Sequence, residues 1–170
     1  METKTLFSNK WLSLMQRNNY VFSHEVRCNG KIIAILPFRE KDGKMEFLMR
    51  LENNPAWGTG TSLTCITGGV ENNEVEKTVI SEVKEEAGMN ISRAELMYLG
   101  QCRGTKSTDT LFELYTINLT GYDGYYVAKG DGSYLEKMAS CQWMPERKIL
   151  DADDPLVYVM YARMRKLLKF

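Results

Sequence analysis

Residues 68–89 read GGVENNEVEKTVISEVKEEAGM: a glycine doublet, a scatter of acidic side chains, and a close in Glu85-Glu86-Ala87-Gly88. The apolar positions within this stretch have helical spacing. On a wheel turning about 100° per residue, Val75, Val79, Ile80, Val83 and Ala87 spread over a sector of about 140°. A helix is therefore expected from Glu74 to Ala87, with Gly88 as its C-terminal stop. Glu86 falls between Val75 and Val79, inside the apolar sector, as does Glu76 at the helix start. Glu82 sits at the sector's edge and Glu85 about 60° further round. Glu82, Glu85 and Glu86 thus stand in the i, i+3, i+4 relation that gathers side chains on one surface.

Two readings of these carboxylates stay open on charge alone. Three acidic groups beside a core-facing stripe repel one another and lose hydration, which costs roughly several kcal/mol unless a cation compensates. Magnesium or manganese, hard ions that take oxygen ligands, would supply that compensation. The alternative is a solvated helix face on which Glu85 and Glu86 pair with lysines such as Lys84. Gly68-Gly69 permits a tight turn and brings a main-chain carbonyl close to whatever the carboxylates bind. It serves an ordinary strand-to-helix turn equally well.

Outward from the helix, the first half of the chain reads as strands. KIIAILPF (31–38) and MEFLMRL (45–51) are apolar and separated by a polar turn containing Asp42-Gly43. TLFSNKWLSLM and YVFSHEV are expected to form strands or hairpins, and a short apolar run, Leu63–Ile66, precedes the glycine doublet. ELMYLGQCR (95–103) and LFELYTINL (111–119) follow the helix, joined by the polar loop GTKSTDT. Residues 121–140, rich in glycine and tyrosine, are expected to be irregular. Asp154 and Pro155 read as N-cap and first residue of a closing amphipathic helix carrying Leu156, Met160, Met164 and Leu167. The whole is an α+β or α/β sandwich built on a mixed sheet.

The 170 residues suit one domain with a sizeable core. Basic and acidic residues balance at 22 each, so no overall field draws the chain to nucleic acid or anionic lipid. Its longest apolar run falls far below the ~20 residues of a spanning helix, and no signal peptide is evident. Cys28, Cys65, Cys102 and Cys141 are scattered and His24 is the only histidine. That argues against a zinc site or disulfide framework and points to reduced thiols in a cytoplasmic protein.

The segment resembles the Nudix hydrolase signature, G-x5-E-x7-R-E-U-x-E-E-x-G-U, where U is apolar. Ser81-Glu82-Val83-Lys84-Glu85-Glu86-Ala87-Gly88-Met89 matches each fixed position except that Ser81 stands where the signature has arginine. The opening, Gly68-Gly69-Val70-Glu71-Asn72-Asn73-Glu74, is one residue short, and so is the stretch from Glu74 to Ser81. Counted from Gly69 the motif spans 21 residues rather than 23.

The resemblance implies a single Nudix domain over residues 1–170, an α/β/α sandwich with a mixed sheet and a C-terminal helix. Within it, residues 68–89 form the loop–helix–loop. Residues 1–28 look like the extra β-region of the ADP-ribose pyrophosphatase branch, where that region helps form a homodimer. It also implies that Glu82, Glu85 and Glu86 bind a metal, magnesium or manganese in its place, with the Gly68 carbonyl joining them. Glu74 matches the glutamate that normally pairs with the signature arginine, so here Lys77 or Lys84 is left to partner it. Glu136, in a segment (130–145) resembling the mobile loop of such enzymes, is the candidate general base beside Glu82 and Glu86.

Arg50, Arg103 and Lys106 are candidate phosphate contacts, and Trp57, Phe38 and Tyr134 candidate base-stacking groups. The expected activity is metal-dependent hydrolysis of a nucleoside diphosphate linked to another moiety, foremost ADP-ribose to AMP and ribose 5-phosphate. Dinucleoside polyphosphates and GDP-sugars are alternative substrates, and a nucleotide-binding module without catalysis is the alternative class. RNA cap removal is disfavoured by the charge balance.

Overall fold

The computed structural model describes residues 2–58, 60–124, 128 and 138–169. A three-stranded antiparallel meander opens the chain: β1 (Thr3–Ser8), β2 (Leu12–Arg17) and β3 (Tyr20–Glu25). The expected hairpin region is therefore three strands. It is tied to the loop at 105–109 by Ser23 N–H on the Ser107 carbonyl (2.9 Å) and Asp109 N–H on the Ser23 carbonyl (3.2 Å). His24 Nδ1 lies 2.9 Å from Asp109 Oδ2 beside them.

The body of the molecule follows. KIIAILPF divides at Leu36-Pro37 into β4 (Lys31–Ile35) and β5 (Phe38–Lys41). Asp42 and Gly43, with φ of 52° and 70°, make the two-residue turn that returns β5 as β6 (Lys44–Asn53). Then come β7 (Thr61–Thr64), β8 (Ile66–Gly69), helix α1 (Val75–Ala87), β9 (Met97–Cys102) and β10 (Leu111–Thr116). Strand β11 (Ser140–Pro145) and helix α2 (Pro155–Leu168) close the fold. One sheet has the order β8-β4-β10-β9, with β4 and β10 parallel and the other neighbours antiparallel. The other runs β11-β6-β5, with β7 also on β6.

The sheets lie between the two helices, as expected; the first is mixed and the second is antiparallel throughout. Ile33, Ile35, Leu48, Ile66, Val79, Val83 and Ile117 form the core under α1. Ala34, Leu36, Phe47, Met49, Leu114, Met160 and Met164 form the core under α2. Strand β4 contributes to both, which is why it reads as an unbroken apolar run rather than an alternation.

Both helix ends follow their predicted signals. Gly88 adopts φ 66° as the left-handed C-cap of α1, and Asp154 accepts from Leu156 N–H at 2.9 Å as the N-cap of α2. Leu156, Met160 and Met164 are buried, whereas Leu167 is 53% exposed and its neighbour Leu168 packs against the core instead. The expected irregular segment and loop are shorter than predicted at their C-terminal end. Residues 140–145 pair with β6, Cys141 opposite Arg50, and Arg39 stacks over Trp143 at 4.1 Å. All four cysteines are free. No helix among the described residues is long and apolar enough to cross a membrane.

Candidate functional site

The site forms where α1, the β8 end and strand β6 meet. Alternation along β6 sends Phe47 and Met49 into the α2-side core and Leu48 into the α1-side core. Arg50 and Glu52 continue the Leu48 series, so a strand period of two carries both towards α1. There the Arg50 guanidinium forms an ion pair through Nη1 with Glu86 Oε1. Its Nε donates to Glu52 Oε2 at 3.0 Å, and Glu52 Oε1 accepts from Thr64 Oγ1 at 3.3 Å. The side chains of Arg50 and Glu86 are 9% and 8% exposed. Among the described residues nothing donates to Glu86 Oε2, which is fully buried.

Glu82, one turn earlier, packs against Gly68. A Cβ at position 68 would overlap the Glu82 carboxylate, so the turn requires glycine for close approach. Gly68, Gly69, Glu71, Glu82 and Glu86 line one cavity of about 430 Å³, closed from the N-terminal side by Glu25, Arg27 and Cys28. Burial pushes the Glu86 carboxyl up to about 8; the Arg50 guanidinium opposes this and the neighbouring Glu82 adds to it. Burial also pushes the Cys141 thiol up to about 12, with Glu86 reinforcing it. A carboxylate so placed is short of positive charge even with its arginine.

The expected site residues separate into groups. Gly68, Glu82 and Glu86 come together on the cavity, and Arg50 lies behind Glu86. Glu85 is exposed on α1. Arg103 stands elsewhere: its Nη1 donates to the Asp109 carbonyl at 2.6 Å beside Tyr20 and Lys106. Trp57 is 51% exposed in the turn after β6, and Phe38 is core. Glu136 and Tyr134 lie outside the described residues. Glu74 takes Lys77 as its partner at 2.9 Å, both side chains more than half exposed. Such a pair contributes little. Glu76 pairs with Arg93 at 2.5 Å.

The residues fit a hard divalent cation in three respects: an oxygen-only donor set, a buried carboxylate oxygen without a partner, and a glycine cradle pressed on a second carboxylate. Among the described residues no three acidic, histidine or cysteine side chains converge as a complete ligand set. Glu25, Arg27, Glu52 and Cys28 went unanticipated in the sequence. The i, i+2 placement of Arg50 and Glu52 on a strand was the one signal that pointed to a shared face.

No protein-family profile matches the sequence, and no curated protein matches it significantly. Solved structures do match. One, described as an ADP compounds hydrolase, superposes with a TM-score of 0.66 at 14% identity, covering 99% of this chain and 92% of that one. Another, the NUDIX domain of Shewanella oneidensis NrtR complexed with ADP ribose, gives 0.60 at 14% identity over 81% of this chain and 87% of that one. At such identity the likeness establishes the fold. The chain has a Nudix-type α/β/α fold.

Proposed function

We propose that the protein hydrolyses a nucleoside diphosphate linked to another moiety, with ADP-ribose, cleaved to AMP and ribose 5-phosphate, as the foremost substrate. The observation that carries this reading is the buried, unpartnered Oε2 of Glu86, a residue that lines one cavity with Glu82 and the Gly68-Gly69 turn. Glu82, Glu86 and the Gly68 main chain would hold magnesium, or manganese in its place, with Glu85 completing the acidic surface from the exposed side of α1. A bound ion of this kind neutralises a diphosphate and makes water a nucleophile near neutral pH. The chain's own contribution is to hold the carboxylates apart from bulk water and to present them from a rigid helix backed by Val79 and Val83. Arg27, half out of the same cavity and 62% exposed, is positioned to meet substrate anion.

The fold is shared with a protein described as hydrolysing ADP compounds and with a domain crystallised on ADP ribose, and both support this choice of substrate. A second reading, a nucleotide-binding module without turnover, is favoured by the lack of a complete acidic cluster among the described residues and by Ser81 in the arginine position.

Incubation with ADP-ribose, diadenosine polyphosphates and GDP-mannose in magnesium separates the two. Release of nucleoside monophosphate supports hydrolysis; tight binding of one compound with no release of product supports the module. Glu86→Gln is expected to reduce turnover by more than the about 10–100-fold that loss of an outer-sphere partner costs. Wild-type rates in that variant would remove Glu86 from the mechanism. The N-terminal meander, with Phe7, Trp11 and Tyr20 each at least half exposed, is proposed as the contact between two copies of the chain.

A further inference from the structure

A carboxylate with one oxygen neutralised by a fixed cation keeps the other to bind a metal ion. That is the state of Glu86. Its Oε1 faces the Arg50 guanidinium and its Oε2 is buried without a donor among the described residues. The arginine is fixed in turn. Its Nε is taken by Glu52 at 3.0 Å, and Thr64 Oγ1 lies 3.3 Å from the other Glu52 oxygen and 3.4 Å from the Arg50 carbonyl. Arg50 faces Thr64 across the β6–β7 ladder and Cys141 across the β6–β11 ladder, so strand register on both sides sets its position. Residue 81 of helix α1, arginine in the signature, is serine.

We infer that Arg50 and Glu52 form a positioning pair, reaching from β6 to α1, that orients Glu86 so that Oε2 is left for a divalent cation. A lone arginine at this place would repel the incoming ion. Glu52 offsets that charge while leaving the planar fork to bridge two carboxylates at once, which a lysine ammonium does not reproduce. The inference rests on the metal-dependent reading above and adds to it residues that lie outside the helix. Neither Arg50 nor Glu52 needs to touch substrate.

The test uses the whole chain and Mn²⁺ alone, without nucleotide, by counting free Mn²⁺ in solution from its paramagnetic signal. Wild type, Arg50→Met, Arg50→Lys and Glu52→Gln are compared, with circular dichroism as the check on folding. Arg50→Met is expected to weaken Mn²⁺ binding by about 10–100-fold, as loss of an outer-sphere partner does. Arg50→Lys is expected to recover part of the loss and Glu52→Gln to weaken binding with Arg50 in place. If Arg50→Met does not fold, Arg50→Lys and Glu52→Gln carry the comparison. Wild-type affinity in the folded variants overturns the positioning pair while leaving the metal reading intact. Failure of the wild type itself to bind Mn²⁺ overturns both.

Discussion

The Glu86 carboxyl is held well above the usual carboxylate range by burial, and its behaviour with pH has a definite sign. Its folded pKa of about 8 lies above the ordinary 4.5, so the folded state holds the proton more tightly than the unfolded chain does. In the metal-free protein this group's contribution to stability is fully present below about pH 4.5 and is lost as pH rises through about 8. The melting temperature of chelator-treated protein is therefore expected to fall as pH rises from about 4.5 to about 8, and Mg²⁺ to reverse the fall. A Glu86→Gln variant should not show this fall, and an equal slope in both proteins would contradict the assignment. The helical wheel made the burial of Glu86 legible, because the residue lies between two valines of the apolar sector. Its arginine was not legible. The β period puts Arg50 and Glu52 on one face, but which layer that face meets depends on the register of β6 against β7 and β11, fixed by residues far along the chain.

At the level of elements, the ends of both helices were written locally and the pairing of strands was not. Asp154 shows how much one cap carries. It is 5% exposed, accepts from Leu156 N–H, and takes the Cys65 thiol at 3.1 Å, joining α2 to the junction of β7 and β8. Asp154→Ala is expected to lower stability by about 0.5–2 kcal/mol for the lost cap. Urea unfolding should place the change in the midpoint, and an unchanged midpoint would contradict the cap. Strand β11 had the weakest local signal. It follows a glycine- and tyrosine-rich stretch and owes its conformation to hydrogen bonds with β6, formed by residues some ninety positions earlier. Edge strand β9 is held differently: Arg163 on α2 donates to the carbonyls of Leu99 and Gln101, each at 2.9 Å. That closes part of an open sheet margin to strand addition by another chain.

For the whole molecule, the meander of β1–β3 and the sandwich behind it raise the question of assembly. The meander exposes Leu6, Phe7, Trp11, Leu12 and Leu14, a run of large apolar groups unusual for a surface that faces only water. Sedimentation is expected to give twice the chain mass, and paired charges at Phe7 and Trp11 to shift it to one. A monomer in the wild type would refute the proposed contact.

The layered order was readable because apolar runs and helical stripes alternate along the chain. The central parallel pair was not, since β4 and β10 are brought together across eighty residues. That long closure also governs how the molecule comes into being. Helix α1 and strand β6 both lie within the span that this pairing closes, and Glu86 meets Arg50 only once β6 has packed against α1. A nascent or partly refolded chain in which that packing is missing would therefore carry the acidic residues of α1 without the arginine that orients them. Recovery of Mn²⁺ affinity would then report the docking of α1 on β6 rather than the formation of the helix.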